Sequence, residues 1–548
     1  MHAYVVSYSK YIIAISLALY AAAALFGMLL RRREVRRVPE GLQCLLIPWI
    51  TFNGYLTIGI LQEELPLMLL FWSLQTILMQ LYIAVYRHTF EEADMQILLD
   101  SCLLLSVGLL IIARMDMRSA VKQGVIASVG LFLVFLIAYL RHRIPGLGKL
   151  AFLWALLGLG ALGTVLFLGS TTLGAKITYT IAGMTFQPSE FVKILYPVFL
   201  AGALGTRHLK GWRVLLSAIV AAGHVGILIL STDLGSALIF YVVFLLVLYL
   251  ATGRGSYVAA GLLLGGAGAA ACFLLFEHIR VRVEVFIDPF TSIDNNGYQI
   301  AQSLFAISFG GLWGAGLTQG APQKIPFVMM DFIFAAIAEE MGLIAGGCIL
   351  AVCLLLFIGL VLTALESREY YTDRFLELLL FGIGVSFIFQ TFLTVGGETK
   401  SIPLTCVTLP LVSYGGSSIL CTLIMFGIAD AASMLIIERR RMFTERFSAE
   451  EAAQQEAAQR EAAMRSAGPA MQRQAATGSG MTGGSGRQQE MSQPRRLWRP
   501  QRGAQPGRPA QTGRPGGQPQ SRSAVQYEDL DQYDLNRIGS DYEDYMDP

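Results

Sequence analysis

About thirteen apolar runs, each long enough to cross a lipid bilayer, follow one another along most of this chain. They lie near Tyr11–Leu30, Gly41–Leu61, Leu65–Tyr86, Gln96–Ile112, Gly124–Leu140, Lys149–Leu168, Pro188–Gly205, Val214–Leu230, Leu234–Ala251, Gly255–Phe276, Phe332–Leu365, Phe375–Val395 and Leu409–Ile437. Inside hydrocarbon every backbone N–H and C=O must find its partner within the protein, and runs of this length do so as helices. The chain is therefore expected to be an all-α polytopic membrane protein rather than a string of soluble domains. Its 548 residues are 54% hydrophobic, and mean hydropathy reaches +0.55 despite a long polar C-terminal stretch.

Four basic clusters set the expected orientation, because Lys and Arg are retained on the cytoplasmic side. They are RRREVRR (Arg31–Arg37), RHRIPGLGK (Arg141–Lys149), RHLKGWR (Arg207–Arg213) and ERRRMFTER (Glu438–Arg446). One arrangement puts all four inside: N-terminus outside, C-terminal tail in the cytoplasm, and the polar stretch Arg280–Asp331 on the outer face. The first apolar run ends in a basic cluster and lacks a small-residue cleavage site, so it reads as a span that stays. The seven cysteines are scattered among apolar runs with no CxxC, as small core residues would be. No nucleic-acid partner is expected.

Past about Phe447 an Ala/Glu/Gln/Arg run predicts a helix leaving the membrane. Gly, Gln, Pro, Ser and Arg then dominate, the composition of a disordered segment. The chain ends in YEDLDQYDLNRIGSDYEDYMDP, which reads either as a solvated terminus or as a docking peptide for a basic cytosolic surface.

Ionisable groups at bilayer depth are costly, about 3 kcal/mol or more each, and so mark cavities or partners. In QPSEFVK, Glu190 and Lys193 fall three residues apart, on one helical face and within ion-pair reach. Asp233 follows a Ser-Thr pair at the outer end of a run, and DFIFAAIAEEMG supplies Asp331, Glu339 and Glu340. Together they predict an acidic cavity open to the outer face, with Lys193 as its clearest cation; a salt bridge locking two helices is the alternative for the first pair. The segment GGETKSIPLTCVTLPLVSYGGSS, with Pro403, Pro410 and paired glycines, predicts broken backbone at membrane depth. A substrate site or a Pro-kinked packing helix would each account for it. The stretch Arg280–Asp331 is Gly-rich and charged, which for a loop of that length points to binding or chemistry.

Five motifs, PSEFVK, DLGSAL, GYQIAQSLFAISFGG, DFIFAAIAEEMG and TLPLVSYGGSS, occur in an order and spacing that resemble the SEDS family of FtsW, RodA and SpoVE. The resemblance runs from about Gln96 to Ile437. It implies a ten-helix core at residues 96–440 with a large extracytoplasmic loop at 277–331, preceded by a three-helix extension at 1–95 and followed by a cytoplasmic, mostly disordered tail at 441–548. It also implies a peptidoglycan glycosyltransferase of the bacterial cytoplasmic membrane that polymerises lipid II at the outer face, for cell division or cell shape.

In that chemistry the 4-hydroxyl of one GlcNAc attacks the anomeric carbon of a MurNAc, and the lipid pyrophosphate leaves with inversion. A carboxylate serves as general base, and cations offset charge on the leaving group. The resemblance leaves the cofactor open, with a divalent cation as one candidate, and no metal-ligand set is identified. The implied partner is a class B penicillin-binding protein transpeptidase; other divisome or elongasome proteins are candidates, through the tail.

The family base is an Asp of the outer loop, in a DPW-x-D pattern shortly before GYQ. This chain reads Asp288-Pro289-Phe290-Thr291-Ser292-Ile293-Asp294 before Gly297-Tyr298-Gln299, which puts Ser292 at that position. Asp294 is the favoured replacement and Asp288 the second, although an Asp before Pro reads as a turn residue. A chain without polymerase activity is the third reading. Glu190, Lys193 and Asp233 match the family's cavity-lining positions, and Arg280 and Lys400 are candidate pyrophosphate contacts. Gly310, Gly311, Gly314 and Gly316 form a backbone-permissive stretch with a phosphate cradle as one role. Two other functions stay open. A lipid II flippase is disfavoured by the lack of inverted broken spans, and a non-catalytic scaffold is favoured by Ser292.

Overall fold

The computed structural model describes residues 2–30, 33–168, 170–172, 175–181 and 184–477. The chain opens with α1 (His2–Leu29), α2 (Arg33–Leu61) and α3 (Leu65–Thr89). There follow α4 (Met95–Met115), α5 (Met117–Tyr139), the single turn α6 (Ile144–Leu147) and α7 (Ala151–Leu168). Next come α8 (Pro188–Leu204), α9 (Gly211–Leu230), α10 (Leu234–Thr252) and α11 (Gly255–Leu275). The outer segment holds α12 (Glu277–Ile287), α13 (Tyr298–Gly310), α14 (Val328–Asp331) and α15 (Ile333–Glu340). Three long helices complete the order: α16 (Gly342–Tyr370), α17 (Phe375–Glu398) and α18 (Gly416–Thr477).

Among the described residues twelve helices are long and apolar enough to cross a membrane. The remaining apolar run is α8, at 17 residues the shortest of the set. Between α7 and α8 three short strands, β1 (Ser170–Thr172), β2 (Ala175–Ile181) and β3 (Met184–Phe186), pair antiparallel in the order β1-β2-β3. The alternating Thr, Ile and Tyr of β2 suit a pleated ribbon.

Two apolar runs are broken where hydropathy read them as continuous. Phe332–Leu365 divides at Gly342, whose φ of +88° only glycine adopts easily, giving the eight-residue α15 and then α16. In Leu409–Ile437 the helix starts only at Gly416. The preceding backbone is irregular, with Cys406 and Leu411 at φ of +54° and +64°, as Pro403 and Pro410 predicted.

At the centre is α4, buried from Met95 to Ala113. Lipid gives helices no hydrophobic reason to associate, so close approach is what holds them. At Gly108 a Cβ would lie 2.4 Å from the Val412 carbonyl oxygen, and no side chain fits there.

The first three helices are tied to the following core by buried polar contacts. The Tyr20 hydroxyl of α1 donates to Asp100 Oδ1 of α4 at 3.0 Å, and Gln96 Nε2 donates to the same carboxylate at 2.8 Å. Tyr86 of α3 hydrogen-bonds Asp430 of α18, and Arg36 of α2 meets Asp94 at 3.3 Å. Near the N-terminus Lys10 Nζ donates to the Gly314 carbonyl at 3.0 Å, and the Tyr11 and Trp313 rings meet edge-on at 5.0 Å. Tyr20→Phe is expected to cost about 1–3 kcal/mol, because Asp100 keeps its burial and loses a donor. Thermal unfolding in detergent would measure it, and an unchanged midpoint would show that this contact does not hold the extension.

Contacts divide the chain into residues 1–445 and 446–548. Within the second unit helix continues to Thr477, as the Ala/Glu/Gln/Arg composition predicted. The Gly/Pro-rich stretch and the acidic end, expected to be disordered, lie outside the described residues.

Candidate active site

The start of α8 is built by its own sequence. Pro188 occupies the first turn, where its missing N–H is no loss, and Glu190 sits at the positive end of the helix. One turn on, Lys193 Nζ lies 2.7 Å from the Glu190 carboxylate, with the two side chains only 3% and 6% exposed. Lys193 Nζ also donates to Gln390 Oε1 of α17 at 2.8 Å, and Gln390 Nε2 donates to the Thr408 carbonyl at 2.9 Å. The pair thus joins α8, α17 and the irregular 403–415 segment. The cavity beside it, lined also by Phe387, Pro410 and Cys421, measures about 10 Å³, room for about one water.

Asp233 caps α10: Oδ1 accepts from Ser236 N at 3.1 Å, and Oδ2 accepts from Ser189 Oγ at 2.9 Å. That second bond joins the starts of α8 and α10. Asp233 and Asp331 both face Cys406, but Glu339 and Glu340 do not join them, which corrects that part of the expectation drawn from their spacing. Glu339 accepts from Ala321 N at 2.8 Å, and Glu340 holds Arg114 of α4 at 2.8 Å. Each carboxylate is drawn off to a separate donor. Glu398, which sequence reasoning did not single out, caps α15 by accepting from Ala335 N at 2.7 Å.

In the outer segment, Asp288 ends α12 and its Oδ1 accepts from Phe290 N at 2.9 Å. This is the turn geometry expected of an Asp before Pro. Ser292 supports the same turn through its carbonyl, which accepts from Asn295 N and Gly297 N at 3.0 and 2.9 Å. Gly297 is required there, since a Cβ would lie 2.1 Å from the Pro289 carbonyl oxygen. Asp294 is exposed on the outside of the turn, and Arg280 is exposed on α12.

Two cations tie α12 to the segment after α17. Lys400 Nζ donates to the Ile287 carbonyl at 3.2 Å, at the negative end of α12, and Arg282 Nη1 donates to the Leu404 carbonyl at 3.1 Å. Arg282 was missed in the sequence, where Arg280 was preferred. The signal was Val285, buried three residues further along the helix and hence on the face of Arg282. Arg282 also faces Asp331, whose carboxyl is pushed up to about 6 by burial, with the guanidinium opposing the shift.

The glycine stretch does not cradle phosphate. Ala315 N and Gly316 N donate to the Glu339 and Glu340 carbonyls, both at 2.9 Å, and Gly314 N donates to Gly310 O at 2.9 Å. Those N–H groups are spent on the α15–α16 junction. Among the described residues no three His, Cys, Asp or Glu side chains are grouped to hold a metal ion. Arg280, Arg282, Lys324 and Lys400 supply positive charge in and beside the outer segment.

A helical membrane protein with a folded polar segment set against broken backbone defines the class. The sequence profile of the FtsW/RodA/SpoVE family, described as a cell cycle protein, matches residues 95–435. The chain belongs to that family. It is 36% identical over 356 residues to the peptidoglycan glycosyltransferase RodA of Mycobacterium bovis (strain ATCC BAA-935 / AF2122/97), covering 60% of this chain and 75% of the relative. It is 34% identical over 277 residues to the probable peptidoglycan glycosyltransferase FtsW of Aliivibrio salmonicida (strain LFI1238), covering 48% and 68%. A solved chain described under structural coordination of polymerization and crosslinking by a peptidoglycan synthase complex superposes with a TM-score of 0.54. Its identity is 27%, with 63% of this chain and 98% of that one covered. The chain is thus a multi-pass bacterial membrane protein of this family.

Proposed function

We propose that this chain is an inverting peptidoglycan glycosyltransferase that polymerises lipid II at the outer face of the cytoplasmic membrane, beside a class B penicillin-binding protein. The four basic clusters support an orientation with the N-terminus outside and the tail in the cytoplasm. The observation that carries the reading is the tie of α12 to the 399–406 segment, where Lys400 donates to the Ile287 carbonyl and Arg282 donates to the Leu404 carbonyl and faces Asp331. Cations there offset charge on a departing lipid pyrophosphate, and a carboxylate takes the proton of the attacking hydroxyl. Among the carboxylates of the outer segment, Asp288 and Asp294 lie on the exposed turn and Asp331 is half-buried. Glu190, Lys193 and Asp233 shape the membrane side of the site.

Purified protein given labelled lipid II in detergent, with its transpeptidase partner, is expected to yield glycan strands. Strand formation that fails under every pairing would sink the reading in favour of a scaffold, which Ser292 at the family's Asp position supports. Lipid translocation in liposomes without polymer would instead identify a flippase. Division and cell-shape roles both fit this chemistry.

A further inference from the structure

We propose that Asp331 is the general base of this chain's glycosyl transfer, accepting the proton of the attacking sugar hydroxyl. The inference rests on the glycosyltransferase reading and deepens it.

Placement comes first. Asp331 ends α14 within the outer segment, on a backbone fixed from several sides. Its N–H donates to the Phe327 carbonyl at 3.1 Å, and Tyr414 N donates to the Met329 carbonyl at 2.7 Å, tying α14 to the turn before α18. Phe332, the next residue, is 1% exposed and anchors the chain. A base held this firmly keeps its geometry toward a bound acceptor, whereas Asp294 rides on an exposed turn.

The carboxylate is also chemically free. The groups facing it are Arg282 of α12, Glu398 at the end of α17, and Cys406 of the irregular segment. Burial and the Arg282 guanidinium act on its charge in opposite directions, Glu398 faces it, and among the described residues no hydrogen bond to its carboxylate is found. It remains half-buried rather than sealed. Burial pushes the group up to about 6, near the pH at which a base is most effective while still ionised. Glu339, Glu340 and Glu398 differ from it in being almost fully buried and in each having at least one carboxylate oxygen engaged by a backbone N–H or an arginine.

In the step, the acceptor oxygen forms its bond to the anomeric carbon as the bond from that carbon to the phosphate oxygen breaks. The electron pair leaves with the lipid pyrophosphate, beside Arg282. The hydroxyl proton passes to Asp331, which releases it to water before the next turnover.

The test uses the full chain with its transpeptidase partner and labelled lipid II. Asp331→Asn is expected to lower kcat about 100-fold or more with KM little changed. The wild-type rate should rise with pH through about 6, as the carboxyl ionises, and the variant's residual rate should lose that limb. Asp331→Glu should recover part of the rate. An unaltered rate in Asp331→Asn overturns the proposal, as does a loss that tracks a lowered unfolding temperature with the acid limb retained. Loss confined to Asp294→Asn overturns it too. Absence of polymer from the wild type would overturn the glycosyltransferase reading itself, a result distinct from wild-type polymer persisting in Asp331→Asn.

Discussion

Lys193→Met is expected to destabilise the protein by about 3–5 kcal/mol, because it strands a buried carboxylate without its cation. Lys193 and Glu190 are 2.7 Å apart with side chains 3% and 6% exposed, so solvent screens neither charge. The substitution also removes the donor to Gln390 Oε1, and so loosens the link from α8 through α17 to the Thr408 carbonyl. Glu190→Gln combined with Lys193→Met leaves no isolated charge and should regain most of the lost stability. Thermal unfolding in detergent measures both. A single variant as stable as the wild type would show that the carboxylate has another partner. Activity then separates the two roles of the pair: a double variant that is stable but makes no glycan contacts substrate through these groups, whereas one that regains both merely locks helices.

The limits of the sequence follow from what each signal measures. Hydropathy reports apolar length, so the spans were legible, yet it is blind to φ and ran through the break at Gly342. Pro403 and Pro410 announced irregular backbone because proline acts locally, by removing an N–H and fixing φ. The Glu190–Lys193 pair was legible as an i,i+3 contact within one helix. Partners distant in sequence were not: Glu340 with Arg114, and Glu398 with the N–H of Ala335, bring together helices whose order along the chain says nothing of their adjacency. For the same reason the acidic residues looked like one cavity, since spacing shows how many carboxylates there are and not which donors await them. On α12 the choice between Arg280 and Arg282 turned on the buried side of one helical turn, which Val285 marks.

Gly314→Ala is expected to be among the most damaging single substitutions in the protein, at about 4 kcal/mol or more, because two costs fall on one methyl group. The residue has a φ of +78°, and its Cβ would lie 2.4 Å from the Glu340 carbonyl oxygen and 2.6 Å from the Met341 carbonyl carbon. Both neighbours are backbone, so no rotamer change relieves the clash. Moving them would break the bonds from Ala315 N and Gly316 N to the Glu339 and Glu340 carbonyls and pull Glu340 from Arg114, 2.8 Å away. Gly311→Ala isolates the first cost. Its φ of +56° is equally unfavourable to a side chain, but nothing lies within 4 Å of the new Cβ. It should cost only about 1–3 kcal/mol. Monodisperse yield in detergent and the unfolding midpoint should therefore fall much further for Gly314→Ala, and equal values for the two variants would mean that the α13–α16 contact has slack the backbone distances do not allow.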